Sequence, residues 1–447
     1  MISQGCSLFM EMGTGKTLTV INLAEMMFSI GKIRSAIVIC PLSIIGTWND
    51  ELENYSSRSN WSLLVGDKRK RLEELESLRY MRDSFLKIAI INYDGISTIK
   101  EQLLKYKFDM VILDESVAIK NRAAQRTKLI IELFSKTSYK IIMSGNPIPK
   151  SPVDIFSQYK FLESGVFGIN YYQFADKYFN VDYFNKIIGF KDEQLNSDFL
   201  ERLHCIAFRK TKKECLDLPP KIYERIIVNM SPEQEEIYKQ MKNKAIATYN
   251  DKTCAATVVI TKFLRMSQIA GGFFPITDEE DNKEIKPILP NPKLEVLVDV
   301  IIDQIPETES IVIWAHFQEE IKTIEARLNL EGIKCVSFYG ETTVKARIDA
   351  RAAFKNKEVR VFVGSPASGG KGLNDLVGAN YVIYYSNDYS ADNRQQSEDR
   401  TNRQGTKGDK VLYIDLLMKD TIDIQVLDVL RSNQNFSDTI LNHNVIL

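Results

Sequence analysis

The stretch Ser7–Glu25, SLFMEMGTGKTLTVINLAE, decides the fold. It reads as a short apolar strand, a turn carrying Gly13 and Gly15, and an amphipathic helix that opens at Lys16 and Thr17. Glycines in that turn allow backbone angles and a close approach that side chains would block. The turn's N–H groups and the helix N-terminus then face an anion. Lys16 supplies a cation to terminal phosphates, and the Thr17 hydroxyl can ligate magnesium. Gly13, Thr14, Gly15, Lys16 and Thr17 are therefore the candidate nucleotide-binding residues. The strict GxxxxGK(S/T) pattern asks for glycine at position 10, where this chain has Met10. The GTGKT core in its strand–turn–helix setting still indicates a nucleotide site.

Outward from this stretch, apolar β-branched runs alternate with segments of helical period. Strands are expected at Ser7–Met10, Ala36–Cys40, Lys87–Asn92, Met110–Leu113 and Lys140–Met143. A second series is expected at Ser310–His316, Lys334–Phe338, Val359–Gly364, Tyr381–Tyr385 and Val411–Leu416. The runs are continuous, as expected for strands buried on both faces of a parallel sheet covered by helices. An α/β fold follows, with a first lobe over 1–163 and a second over 291–447. Residues 164–290 read as a helical insertion and linker, with paired prolines at Pro219 and Pro220.

Hydrolysis needs a magnesium carboxylate at the end of a neighbouring strand and a group to orient water. KFDMVILDESVAIKN (107–121) supplies both. Its strand delivers Asp114, the expected magnesium partner, and Glu115, the candidate for positioning the attacking water, to the carboxyl edge where open α/β sheets bind ligands.

The 447 residues suit two or three domains, and 44% hydrophobic with 26% charged residues describes a globular chain. No run approaches the roughly 18 apolar residues of a membrane span, and no secretory signal opens the chain, so a cytoplasmic setting is expected. The six cysteines show no CxxC spacing, which leaves no zinc site to defend. A net charge of −1 gives no basic signature for nucleic acid, but phosphate contacts need only a local groove. Lys68–Arg71 and the run Arg209, Lys210, Lys212 and Lys213 are candidates for such contacts.

The series as a whole resembles the Swi/Snf-type family of helicase superfamily two. It runs MEMGTGKT, IVICPLSIIGTWNDELENY, IINYDGI, ILDESVAIKN and IIMSGNPIPKSPVDIFSQYKFL. It continues with FRKTKKECLDLPPK, SPEQEEIY, NPKLEVL, IVIWAHF, VFVGSPASGGKGLNDLVGANYVIYYS and QQSEDRTNRQG. The resemblance spans about Leu8 to Ile422. It implies two RecA-like lobes, ATP and Mg²⁺ as cofactors, and DNA, double-stranded by preference, as the partner. The implied activity is a nucleic-acid-dependent ATPase that drives translocation. A strand-separating helicase and a DNA-binding scaffold without turnover stay open as alternatives.

The resemblance also implies roles for single residues. Arg400 and Arg403, three apart and so on one face if helical, are the expected arginine fingers on a triphosphate held between the lobes. Gln396 aids them, and Gly372 also faces the nucleotide. Pro41, Trp48, Ser365, Gly369 and Gly370 are expected against DNA, and Ser144 and Gly145 couple the nucleotide site to lobe closure. The chain departs from the family at Val117 and Asn402, where His is usual, at Asn146, where Thr is usual, and at Lys371 in the glycine-rich loop. Only nine residues precede Met10. Together with the small size, this points to a phage or mobile-element member or to a piece of a longer chain, with the nucleotide base recognised weakly or from elsewhere.

Overall fold

The computed structural model describes all residues except 1–4, 183–186, 251–255, 278–282, 341, 370–375, 377, 404, 407 and 442–447. The chain divides into two compact units, Met1–Leu216 with Asn433–Leu447, and Asp217–Ser432.

The first unit is built on strands β1 (Gly5–Met10), β2 (Ser35–Cys40), β3 (Ser59–Leu64), β4 (Leu86–Asn92), β5 (Met110–Asp114), β6 (Tyr139–Met143) and β7 (Ala207–Lys210). They form one sheet in the order β3-β4-β2-β5-β6-β1-β7, and every pairing is parallel. Alternate residues of β1 face opposite layers. Phe9 packs with Ile37, Leu113 and Ile142, while Leu8 and Met10 pack with Val38, Ile112 and Met143. Burial on both faces is the reason the central strands β2, β4 and β5 read as nearly unbroken apolar runs. The register sets Leu8 and Asp114 each opposite Met143, so the ends of β1, β6 and β5 lie side by side.

The second unit holds β8 (Lys221–Val228), β9 (Ser310–Trp314), β10 (Cys335–Phe338), β11 (Val361–Gly364), β12 (Ala379–Tyr384) and β13 (Val411–Met418). Their order is β8-β13-β12-β9-β11-β10, again all parallel.

The expected α/β class is therefore found, but the boundaries differ from the reading of 164–290 as an insertion. Residues 207–210 complete the first sheet and residues 221–228 begin the second, so the division falls between Leu216 and Asp217. Both strands lie at sheet edges. They carry Arg209, Lys210, Glu224 and Arg225, and Ile222, Tyr223 and Ile227 stay exposed, so neither shows the unbroken run that marks a central strand. The helices Tyr171–Tyr178 and Glu193–His204 belong to the first unit. There Phe167, Phe174, Tyr178 and Phe199 pack ring against ring with Phe156 and Tyr159. Among the described residues, no helix is long and apolar enough to cross a membrane.

Candidate functional site

The loop after β1 turns through two left-handed glycines, Gly13 (φ 83°) and Gly15 (φ 89°), into helix α1 (Lys16–Ser29). A Cβ on either glycine would meet nothing within 4 Å, so the requirement for glycine lies in the backbone angle and the loop faces open space. Gly15 caps α1 without a side-chain hydrogen bond, and no acidic residue sits in the first turn. The positive end of α1 is thus left for an anion. The Lys16 ammonium donates to the main-chain oxygens of Met10 (2.9 Å) and Glu11 (3.3 Å), held at the loop by carbonyls and not by a carboxylate. Thr14 closes the loop by donating from its hydroxyl to Glu11 O at 2.8 Å.

Two strands away, β5 ends on Asp114 at 5% exposure. Its Oδ1 accepts from the Glu115 N–H (2.9 Å) and its Oδ2 from the Trp48 indole N–H (2.8 Å). Burial raises the Asp114 pKa to about 6, with the Glu115 charge adding to it, while Lys16 and the Trp48 hydrogen bond pull it down. Glu115 holds a left-handed backbone (φ 53°), unusual for a residue with a side chain, and its Oε2 accepts from Ser144 at 3.4 Å. These features fit a triphosphate on the loop, with Asp114 the carboxylate that would hold a divalent cation beside it. Among the described residues no cluster of three His, Cys, Asp or Glu could hold a metal ion.

The shift at Asp114 has a stability consequence. Its folded pKa lies above the unfolded value, so between about pH 4 and 6 the folded state keeps a proton that the unfolded chain has released. The contribution is present below pH 4 and is lost as pH rises through 6, a change of up to about 3 kcal/mol. Urea melts of the nucleotide-free protein across that window should show the slope, and Asp114→Asn should flatten it. An unchanged slope in the variant contradicts the buried, charged Asp114.

Trp48 needs correction. The expectation set it against DNA, but it lies on the inner face of helix α2 (Ile45–Tyr55) with Ile45 and Leu52, 2% exposed, its only polar atom spent on Asp114. From there it orients a carboxylate and cannot meet a nucleic acid. Arg209 is corrected in the same way. Its guanidinium donates to Phe9 O and Gly145 O and pairs with Glu11 at 3.1 Å, while Glu11 also accepts the Lys212 N–H. These two residues of the basic run brace the phosphate loop. Pro41, half-buried, follows β2 at the same sheet edge and opens the turn leading to α2.

Two other side chains escaped the sequence reading. The Tyr93 hydroxyl donates to the main-chain oxygen of Asp114 at 2.9 Å. Gln158 accepts from Ser116 at 2.6 Å and donates to Pro147 O at 2.8 Å, tying the acidic motif to the SGNPIP segment that also carries Ser144. This link runs beside Val117, where the family commonly has His.

In the second unit, helix α3 (Ala391–Thr401) carries Gln396, half-buried, and Arg400, 3% exposed. The helix stops at Thr401, and the Arg403 N–H donates instead to the Thr406 hydroxyl at 3.0 Å. The expected helical face shared by Arg400 and Arg403 is therefore not formed; the second arginine lies on the turn beyond. Arg394 anchors α3 by forking onto Asp415 (2.5 and 3.1 Å), bonding Glu398 (2.8 Å) and stacking on Tyr384. Glu398 also takes Lys221 (3.0 Å) and the Tyr223 hydroxyl (2.8 Å). Burial opposes its charge, but Lys221 and Arg394 outweigh that and hold its pKa down to about 2. Asn402 donates to Pro219 O at 2.8 Å, so the LPPK segment is pinned to α3. Arg394→Ala leaves two buried carboxylates short of a partner and should cost about 3–5 kcal/mol in a urea melt of the second unit. A loss below about 1 kcal/mol contradicts the network as anchor.

Ser365 directly follows β11, and Gly369 ends the short helix Pro366–Gly369. Gly370, Lys371 and Gly372 lie outside the described residues.

Two parallel α/β units, the first with a phosphate loop and an acidic pair on one sheet edge, define a P-loop nucleotide-binding protein. The model of the SNF2-related domain matches residues 1–270, and that of the helicase conserved C-terminal domain matches residues 292–405. The chain belongs to the SNF2-related family. It is 24% identical over 428 residues to an uncharacterised ATP-dependent helicase of Mycoplasma genitalium, covering 95% of this chain and 39% of that protein. It is 25% identical to the nuclear protein STH1/NPS1 of Saccharomyces cerevisiae, covering 94% and 32%. The chain thus spans about two fifths or less of the length of these relatives. Among solved structures it is similar to the Sulfolobus solfataricus SWI2/SNF2 ATPase core in complex with dsDNA, with TM-score 0.42, 24% identity, and coverage of 98% of this chain and 89% of that one.

Proposed function

We propose that the protein is a DNA-stimulated ATPase that translocates on duplex DNA. The observation that carries this reading is the meeting, on one sheet edge, of the Lys16 loop with Asp114 and Glu115, joined through Ser144 and Gln158 to the SGNPIP segment. In this reading the loop N–H groups and Lys16 bind the phosphates, and Thr17 and Asp114 hold Mg²⁺, which when bound neutralises phosphate charge. Glu115 orients water and accepts its proton. Arg400 and Arg403 of the second unit complete the charge stabilisation, a role supported by the family motif. Alternation between two arrangements of the units, biased by the nucleotide, moves the chain along DNA, with Pro41, Ser365, Gly369 and Gly370 as contacts.

Displacement of a triplex-forming third strand from a duplex tests the translocation. ATP-dependent displacement is expected, with a tailed duplex left paired. Rapid opening of the tailed duplex would assign the protein to strand-separating helicases instead.

A further inference from the structure

On the first unit, away from the phosphate loop, a cavity of about 600 Å³ opens between the helices Gln125–Leu133, Ile155–Leu162 and Tyr171–Tyr178. Its floor is apolar, with Phe156 beneath and Ile131 and Ile169 beside it; Ile169 is 69% exposed. Its rim is cationic. Arg122 lies 4.1 Å over the Tyr171 ring and 5.0 Å over that of Tyr172, with one weak hydrogen bond to the Tyr172 hydroxyl and no carboxylate at ion-pair distance among the described residues. Lys128 and Lys160 stand on the same rim, against the single carboxylate of Glu132. Ser157 also borders the cavity, but it is 1% exposed and its hydroxyl is buried.

We propose that this cavity is a docking site for a short acidic peptide segment carrying a bulky apolar side chain. The apolar side chain occupies the floor, and flanking carboxylates meet Arg122 and Lys128. An arginine resting against two tyrosine rings presents its fork with less entropy left to lose, which suits a carboxylate. Duplex DNA fits the cavity less well. Its phosphates would use the rim, but its bases stay stacked inside the helix and leave the apolar concavity unfilled. The inference does not rest on the proposed motor activity.

The probe is a set of fluorescein-labelled hexapeptides with two Asp or Glu residues on each side of a central Phe, Leu or Trp pair, titrated with the full chain in fluorescence anisotropy. At least one member should bind saturably, and Arg122→Glu and Lys128→Glu should each weaken it about tenfold or more, as for loss of a charge-assisted contact. Peptides with Lys in place of the acids should not bind. Unchanged nucleotide affinity in both variants certifies their folding. The proposal is overturned if no member binds, if binding ignores the charge reversals, or if the reversals weaken duplex DNA and not the peptides.

Discussion

Lys16→Ala should lower ATP turnover by about a thousandfold while leaving the fold intact. A fixed cation on a transferring phosphoryl group contributes on that scale because charge builds there in the transition state. In the free protein the ammonium holds only two loop carbonyls, so its removal costs about 1 kcal/mol in stability. The two effects separate cleanly: steady-state phosphate release collapses while the urea midpoint hardly moves. Turnover within about tenfold of the parent would mean that the loop does not hold the reacting phosphates.

Glu115→Gln should be nearly as damaging for a different reason. A group that orients and deprotonates water contributes roughly 10²–10⁴-fold. Glutamine keeps the size of the side chain and an oxygen for the Ser144 hydroxyl, and it tolerates the left-handed backbone no worse than glutamate. ATP binding should therefore survive, and a fluorescent ATP analogue should bind with affinity within a few-fold of the parent while hydrolysis is lost. Equal loss of binding and turnover would place Glu115 in phosphate or metal binding instead.

The central strands were legible because burial on both faces writes itself as an unbroken apolar run, as in Ala36–Cys40 and Met110–Leu113. The edge strands Ala207–Lys210 and Lys221–Val228 were not, because one exposed face admits Arg, Lys and Glu and breaks the run. The phosphate loop and the acidic pair were legible because their spacing follows from the chemistry. Trp48 was misread because a motif conveys order along the chain and not which way a ring points; only the fold reveals that its indole reaches Asp114, 66 residues away. The anchor of α3 left a usable signal. Asp415 interrupts the apolar run VLYIDLLM, and a carboxylate in the middle of a central strand demands a buried cation, which Arg394 supplies. The end of α3 before Arg403 left a signal too, since Asn402 directly follows Thr401 and Asn is a common residue just past a helix end.

Coupling of hydrolysis to DNA is the claim on which the functional account turns. It is tested most directly by phosphate release from ATP and Mg²⁺ with and without a blunt duplex of several tens of base pairs. The account predicts a slow basal rate that duplex raises by about tenfold or more, with weaker stimulation by single-stranded DNA or RNA. A rate that duplex leaves unchanged, while the same duplex demonstrably binds the protein, would contradict it.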